Sequence, residues 1–285
     1  RQRQMCIRDR KRAVITGPTG SIGIALINEL EANGIEVVAV VRPGSKRADR
    51  IKESSLVKCV KCDLSNLDKL PELIPDGADV FYHFGWDGTF GDSRNNMKGQ
   101  NLNVKYALDA VEAASKLGCK TFVGAGSQAE YGRFEGKLNG STPTFPENGY
   151  GIAKLCAGQM TRIMCQQKGI KHIWTRILSI YGPYDGEKTM VMSTIDRLLK
   201  GEVPSCTKGE QMWDFLYSKD AALAMRLLGE KGIDGKIYCI GSGQARPLKE
   251  YINIMGESID STIQIGFGDI PYLSLIHISE PTRRS

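Results

Sequence analysis

Tyr150 and Lys154 stand four residues apart in the stretch NGYGIAK at 148–154. On a helix, positions i and i+4 share one face, so a helix here points the phenol and the ammonium into the same space. A tyrosine near its ordinary pKa of ~10 is a poor base at neutral pH, and a fixed ammonium one turn away moves it toward the working range. Taken alone, the pair also fits an exposed helix start. A second stretch, VITGPTGSIG at 14–23, places Gly17, Gly20 and Gly23 between a short apolar run and an amphipathic one. Glycines at a strand-to-helix turn let the backbone approach a pyrophosphate, whose charge then meets the helix N-terminus.

These residues need a scaffold, and the chain patterns one from Arg12 onward. Short apolar runs (AVIT, EVVAVV, LVKCVKC, DVFYHF, TFVGAG) alternate with amphipathic stretches such as SIGIALINELEANG and VKYALDAVEAASKLG. Continuous apolar strands separated by helical periods predict a parallel sheet covered on both faces, a doubly wound α/β fold. After Arg176 the rhythm loosens into loops rich in Gly, Pro and charge, as in YGPYDGEKT and KGEVPSCTKGEQ. We therefore expect a Rossmann domain over residues 11–180 and a smaller substrate lobe over 181–272, with 212–241 returning to the first domain.

The ends read differently. Met5–Arg10 (MCIRDR) and Leu273–Ile278 (LSLIHI) can be encoded by reverse-complementary DNA strings that resemble a transposon end used in sequencing libraries. Residues 1–10 and 273–285 are accordingly read as translated adapter, and the C-terminal lobe as truncated. The chain of 285 residues has a formal charge of +6. Four arginines against Asp9 at the front, and two against Glu280 at the back, account for all but about +2 of it. No basic footprint for nucleic acid remains. Only His83 and His172 lie between the two ends, which argues against a Ser/His/Asp hydrolase or a histidine metal site, and no metal is expected. No apolar run approaches the ~20 residues of a membrane span. The eight scattered cysteines suit free thiols in a reducing cytoplasm; Cys59 and Cys62 form a CxxC, but no second pair or nearby histidine completes a site.

The spacing GxxGxxG over Gly17–Gly23, taken with Tyr150 and Lys154, resembles the extended short-chain dehydrogenase/reductase superfamily, the NAD-dependent epimerase/dehydratase group. Further marks follow in order: CDL at 62–64, HFGW at 83–86, NLNV at 101–104 and GAGSQAEYG at 124–132. The resemblance implies NAD or NADP held by Gly17, Thr19, Gly20, Ser21, Ile22 and Gly23. Asp63 and Leu64 would flank the adenine, and Phe84 and Gly85 would line the cofactor. It also implies Ser127 as the third member of a catalytic set with Tyr150 and Lys154, Lys154 in addition reaching the nicotinamide ribose. Asp63 fits a helix N-cap equally well, and Asn101 is expected to tether backbone.

Dehydratases of this group carry an Asp-Glu pair after the hydroxyl residue, and here those positions hold Gln128 and Ala129. Epimerisation and ketone reduction remain. The second strand ends VVRPGSKR, with Val41 where an acid usually meets the NAD ribose and Arg42 beside it, which favours NADP. The expected function is a 4-ketoreductase of a nucleotide sugar. The alternatives are an NAD-dependent 4-epimerase and a non-catalytic NAD(P)-binding regulator. Ser179, in place of a substrate-binding asparagine, and Trp213, which either stacks on a base or fills the lobe, join Ser127 as candidate substrate residues. A nucleotide sugar is the expected partner, and a homodimer is the usual assembly of relatives.

Overall fold

The computed structural model describes residues 11–269, so the two stretches read as adapter lie outside the described residues. In chain order the first strands are β1 (Arg12–Thr16), β2 (Glu36–Val41), β3 (Val57–Lys61), β4 (Val80–His83), β5 (Thr121–Ser127) and β6 (Lys171–Ile177). They are followed by β7 (Ser179–Tyr181), β8 (Met212–Trp213), β9 (Phe215–Tyr217), β10 (Ile237–Ile240) and β11 (Arg246–Pro247). The longer helices are α1 (Ser21–Ala32), α2 (Met97–Lys116), α3 (Gly149–Lys168), α4 (Met190–Leu199), α5 (Ser218–Lys231) and α6 (Leu248–Ile259).

Seven strands form one parallel sheet in the order β10-β6-β5-β4-β1-β2-β3. The apolar runs are continuous because both faces are covered. Ala13 and Ile15 of β1 belong to a core with Leu26 and Ile27 of α1 and Met225 of α5. Val14, between them, faces the opposite core with Ala110, Val111 and Ala114 of α2. Helices α1 and α5 pack together on one side, α2 and α3 on the other. Strand order reverses at β1, which has β2 on one side and β4 on the other. In open α/β sheets ligands bind beyond the carboxyl ends of the strands at such a switch. Above that edge, β7 pairs with β9, β8 pairs with β11, and α4 packs on α6.

Candidate active site

At the switch point lies a cleft of about 380 Å³, lined by the ends of β1, β4, β5 and β6, the start of α3 and the loop before α4. Asn148 starts α3 by accepting the Gly151 amide at 2.8 Å, and that start turns Tyr150 and Lys154 to the cleft. The Lys154 ammonium is 3 % exposed; it donates to the Ala125 carbonyl at 2.6 Å and sits 3.8 Å from the centroid of the Trp86 ring. The Tyr150 ring is farther from it, at 5.8 Å, and meets Trp86 edge-on. Burial pushes the Lys154 ammonium down to about 7, with the Glu130 carboxylate pulling the other way.

The expected direction for Tyr150 is reversed in this arrangement. Burial raises the phenol above its ordinary value, and the opposing pulls come from the Ser127 hydroxyl and the Arg94 guanidinium. Lys154 is turned into the protein toward Ala125 and Trp86, so its charge is spent there. Sharing a helix face brought the two side chains together without aiming one at the other.

Ser127 ends β5, and its hydroxyl accepts the Ala129 amide at 3.2 Å. Its own amide donates to Glu130 at 2.8 Å, which closes a capping box over the next turn. Glu130 is fully buried and also accepts from the Trp174 indole at 3.0 Å and from Arg176 at 2.9 Å. Four donor contacts thus hold the carboxylate away from the cleft, which it does not line. A Cβ on Gly126 would collide with both the Trp174 indole and the Glu130 carboxylate, so that glycine makes room for the buried cluster.

The loop after β4 carries Trp86, Thr89, Phe90 and Arg94 into the cleft. Two buried amides on α2 hold it. Gln100 accepts from the Trp86 indole at 2.9 Å and donates to the carbonyls of Gly88 and Ser93. Asn103 exchanges a pair of bonds with the Asp87 backbone. The tether expected of Asn101 is therefore made by its neighbours, because Asn101 faces solvent one residue off the buried stripe. Asn95 accepts the Gly149 amide at 3.0 Å, which fastens this loop to the start of α3.

The opposite wall is the glycine loop. Gly17 has φ +66°, and a Cβ there would meet the Gly85 amide nitrogen at 2.6 Å, so the backbones of the two loops touch. Gly20 precedes α1 without a side-chain cap, and a Cβ on it meets nothing within 4 Å. The buried Ser21 hydroxyl has no protein partner. Uncapped amides, an open backbone and an unpaired hydroxyl on one rim fit the pyrophosphate of a dinucleotide. Gly20, Ser21, Ile22, Gly23 and Phe84 line the cleft with Gly17. Thr19 turns its carbonyl to Arg50 at 3.2 Å. Gly85 packs against Leu64, and its amide donates to Thr16 at 3.3 Å. His83 bonds the same Thr16 hydroxyl at 2.9 Å, and burial pushes it down to about 3, so it is neutral.

Asp63 caps the turn that follows it, accepting the amide and hydroxyl of Ser65. These bonds, and more weakly the charge of Arg42, hold its carboxyl below the usual range. Arg42 itself is exposed at the end of β2. Ser179 lines the cleft, where its hydroxyl accepts from the Trp213 indole at 2.8 Å and from Gln128 at 3.5 Å. Trp213 is only 7 % exposed and packs beside Phe215 behind Ser179. Of the two roles expected for it, the geometry gives it the filling one, and stacking on a base is set aside.

The sequence reading missed Arg94 and Asp185, both in loops without periodicity. Arg94 lies over the Tyr150 ring at 4.7 Å. Asp185 lines the far wall, accepts from the Gly186 amide and Thr189 hydroxyl, and is raised by burial.

Known proteins share this arrangement of chain. The curated trifunctional UDP-glucose 4,6-dehydratase/UDP-4-keto-6-deoxy-D-glucose 3,5-epimerase/UDP-4-keto-L-rhamnose-reductase of Arabidopsis thaliana is 26% identical over 84% of this chain, which spans only 38% of that relative's length. The dTDP-6-deoxy-L-talose 4-dehydrogenase (NAD(+)) of Aggregatibacter actinomycetemcomitans is 28% identical, over 83% of this chain and 86% of its own. The UDP-glucose 4-epimerase of Thermotoga maritima, solved with UDP-glucose, superposes with a TM-score of 0.80 at 21% identity, covering 93% of this chain and 88% of that one. Residues 13–241 match the family model directly, and on that match the chain belongs to the NAD dependent epimerase/dehydratase family.

Proposed function

We propose that the protein is a 4-ketoreductase of nucleotide sugars that prefers NADPH. The observation that carries this reading is the content of one wall of the cleft. Ser127, Tyr150 and Lys154 are present there, while the positions after Ser127 are Gln128, bonded to Ser179, and buried Ala129. The nearby acid, Glu130, is sealed among Trp174, Arg176 and the Ser127 amide. A proton can be delivered to one oxygen, and no carboxylate beside Ser127 is free to assist elimination of water.

A bound nicotinamide supplies the hydride. Ser127 orients the keto oxygen, Tyr150 donates the proton to it, and Lys154 holds a ribose hydroxyl of the cofactor. Gly17, Thr19, Gly20, Ser21, Ile22 and Gly23 cradle the pyrophosphate, Phe84 and Gly85 line the ring's side, and Leu64 borders the adenine. Arg42 meets the 2′-phosphate, a role its exposure and its charge on Asp63 support. Ser179 contacts the sugar. The names of the plant and Thermotoga relatives support a nucleotide sugar as substrate. Among the described residues no helix is long and apolar enough to cross a membrane. We place the protein in the cytoplasm, as a homodimer paired through α2 and α3.

The test is a panel of nucleotide sugars and their 4-keto forms, followed by NADPH and NADH absorbance and by product analysis. The expected result is NADPH consumed one for one with a 4-keto sugar. Conversion of a sugar to its C4 epimer with no net change in cofactor would make the protein a 4-epimerase. Cofactor bound without turnover of any member would make it a regulator.

A further inference from the structure

Tyr150 must leave a negative charge behind when it gives up its proton, and a cation is needed to receive that charge. Lys154 is placed badly for this. Its nitrogen is bonded to the Ala125 carbonyl and lies on the Trp86 face, 5.8 Å from the centre of the Tyr150 ring. Arg94 is closer, with its guanidinium carbon 4.7 Å from that centre.

The position of Arg94 is built rather than incidental. The carbonyl of Ser93, before it, is held by Gln100, and Asn95, after it, binds the first amide of the helix that carries Tyr150. Arginine and phenol are thus fastened to one another through two independent hydrogen bonds. We propose that Arg94, acting through Tyr150 as a positioning residue, is the cation that supports the phenolate formed during proton transfer. The inference rests on the reading of Tyr150 as the proton carrier. In the step, the Tyr150 O–H bond breaks, its proton joins the keto oxygen as hydride from NADPH reaches the keto carbon, and the electron pair stays on the phenolate oxygen beneath Arg94.

The other groups that face Tyr150 act in known directions. Lys154 comes from its own helix, and the Ser127 hydroxyl stabilises the phenolate by a hydrogen bond. The Glu130 carboxylate, in the turn after β5, opposes it. Asp185 lines the cleft from the substrate lobe. His83 is neutral. An opposite charge within about 4–6 Å shifts a pKa by about 1 to 3 units, so Arg94 sets the acidity of the proton donor.

The experiment uses the full chain labelled with 3-fluorotyrosine, whose lower phenol pKa brings titration into a range where the fold survives. Tyr150 is assigned in 19F spectra by the resonance missing from Tyr150→Phe, and its titration is read without substrate. Arg94→Met is expected to raise the midpoint by about 1 unit and to lower kcat about tenfold near neutral pH, with Arg94→Lys restoring most of both. If the Met variant does not fold, as judged by thermal melting, Arg94→Gln carries the same test. An unchanged midpoint in a folded variant would overturn the proposal, as would a rise in KM with kcat intact, which would make Arg94 a substrate ligand. Parental turnover in Tyr150→Phe would instead overturn the functional reading, while the coupling of Arg94 to Tyr150 is judged by the titration alone.

Discussion

At Lys154 a positive charge sits almost out of water without a carboxylate in contact, and this shapes two predictions. Its folded pKa of about 7 lies below the 10.5 of an ordinary lysine, so between those values the unfolded chain binds more protons. Stability therefore rises with pH across that window; the penalty is complete below pH 7 and gone above about 10.5. Urea titrations over the range are expected to give a clearly flatter pH dependence for Lys154→Met than for the parent. For Tyr150→Phe the hydroxyl goes while the ring stays, so cofactor binding is expected to hold and turnover to drop about 10² to 10⁴-fold in a single-turnover assay. Arg42→Ala is expected to reduce the preference for NADP(H) by about 1.5 to 3 kcal/mol, read by calorimetry against both cofactors. The sequence held the identity and shared face of Tyr150 and Lys154. It did not hold where the ammonium points, because Ala125 and Trp86 come from β5 and from the loop after β4, and only the packed sheet brings them under α3. Trp213 was ambiguous for a similar reason: an indole in a loop-rich region has no period to show which way it faces.

Elements were the most legible layer. The alternation of apolar runs and helical stretches maps onto β1 to β6 and the helices between them, because a two-sided core demands apolar residues on both faces of each strand. Positions within an element were less secure. Asn101 and Asn103 both lie in the NLNV stretch, but only Asn103 falls on the buried stripe of α2 with Gln100 and Val104. The glycine loop separates two functions that its spacing alone merges. Gly17→Ala forces a side chain into a positive φ and against the Gly85 backbone, so a loss of at least ~1 to 3 kcal/mol in stability is expected by denaturant titration. At Gly20 the backbone is extended with φ −86° and the added methyl finds open space. Gly20→Ala is therefore expected to keep the parental melting temperature and to weaken NAD(P) binding, and a normal affinity in that variant would remove Gly20 from the cofactor cradle.

For the whole molecule, the doubly wound class was readable, while the strand order was not, since it depends on which crossover returns to which edge. The CxxC of Cys59 and Cys62 falls on and just after β3, and no described cysteine is joined in a disulfide. What the outer surface adds is an apolar stripe. Ile152, Cys156, Met160 and Ile163 follow one another at helical spacing along α3; Ile152, Met160 and Ile163 are 53 %, 45 % and 44 % exposed, and Leu102 on the adjoining α2 is 47 % exposed. Such a stripe on two helices packed side by side is costly to leave in water and matches the proposed pairing through α2 and α3. In a two-fold interface a residue near the axis meets its own copy, so one added charge becomes a like-charged pair in a dry contact. Met160→Asp is expected to give a monomer by light scattering at concentrations where the parent is a dimer. The same change on the outer face of α3 should leave the melting temperature of the monomer close to that of a diluted parent. A parent that is monomeric at tens of micromolar, or a Met160→Asp chain that still pairs, would move the interface away from this helix face.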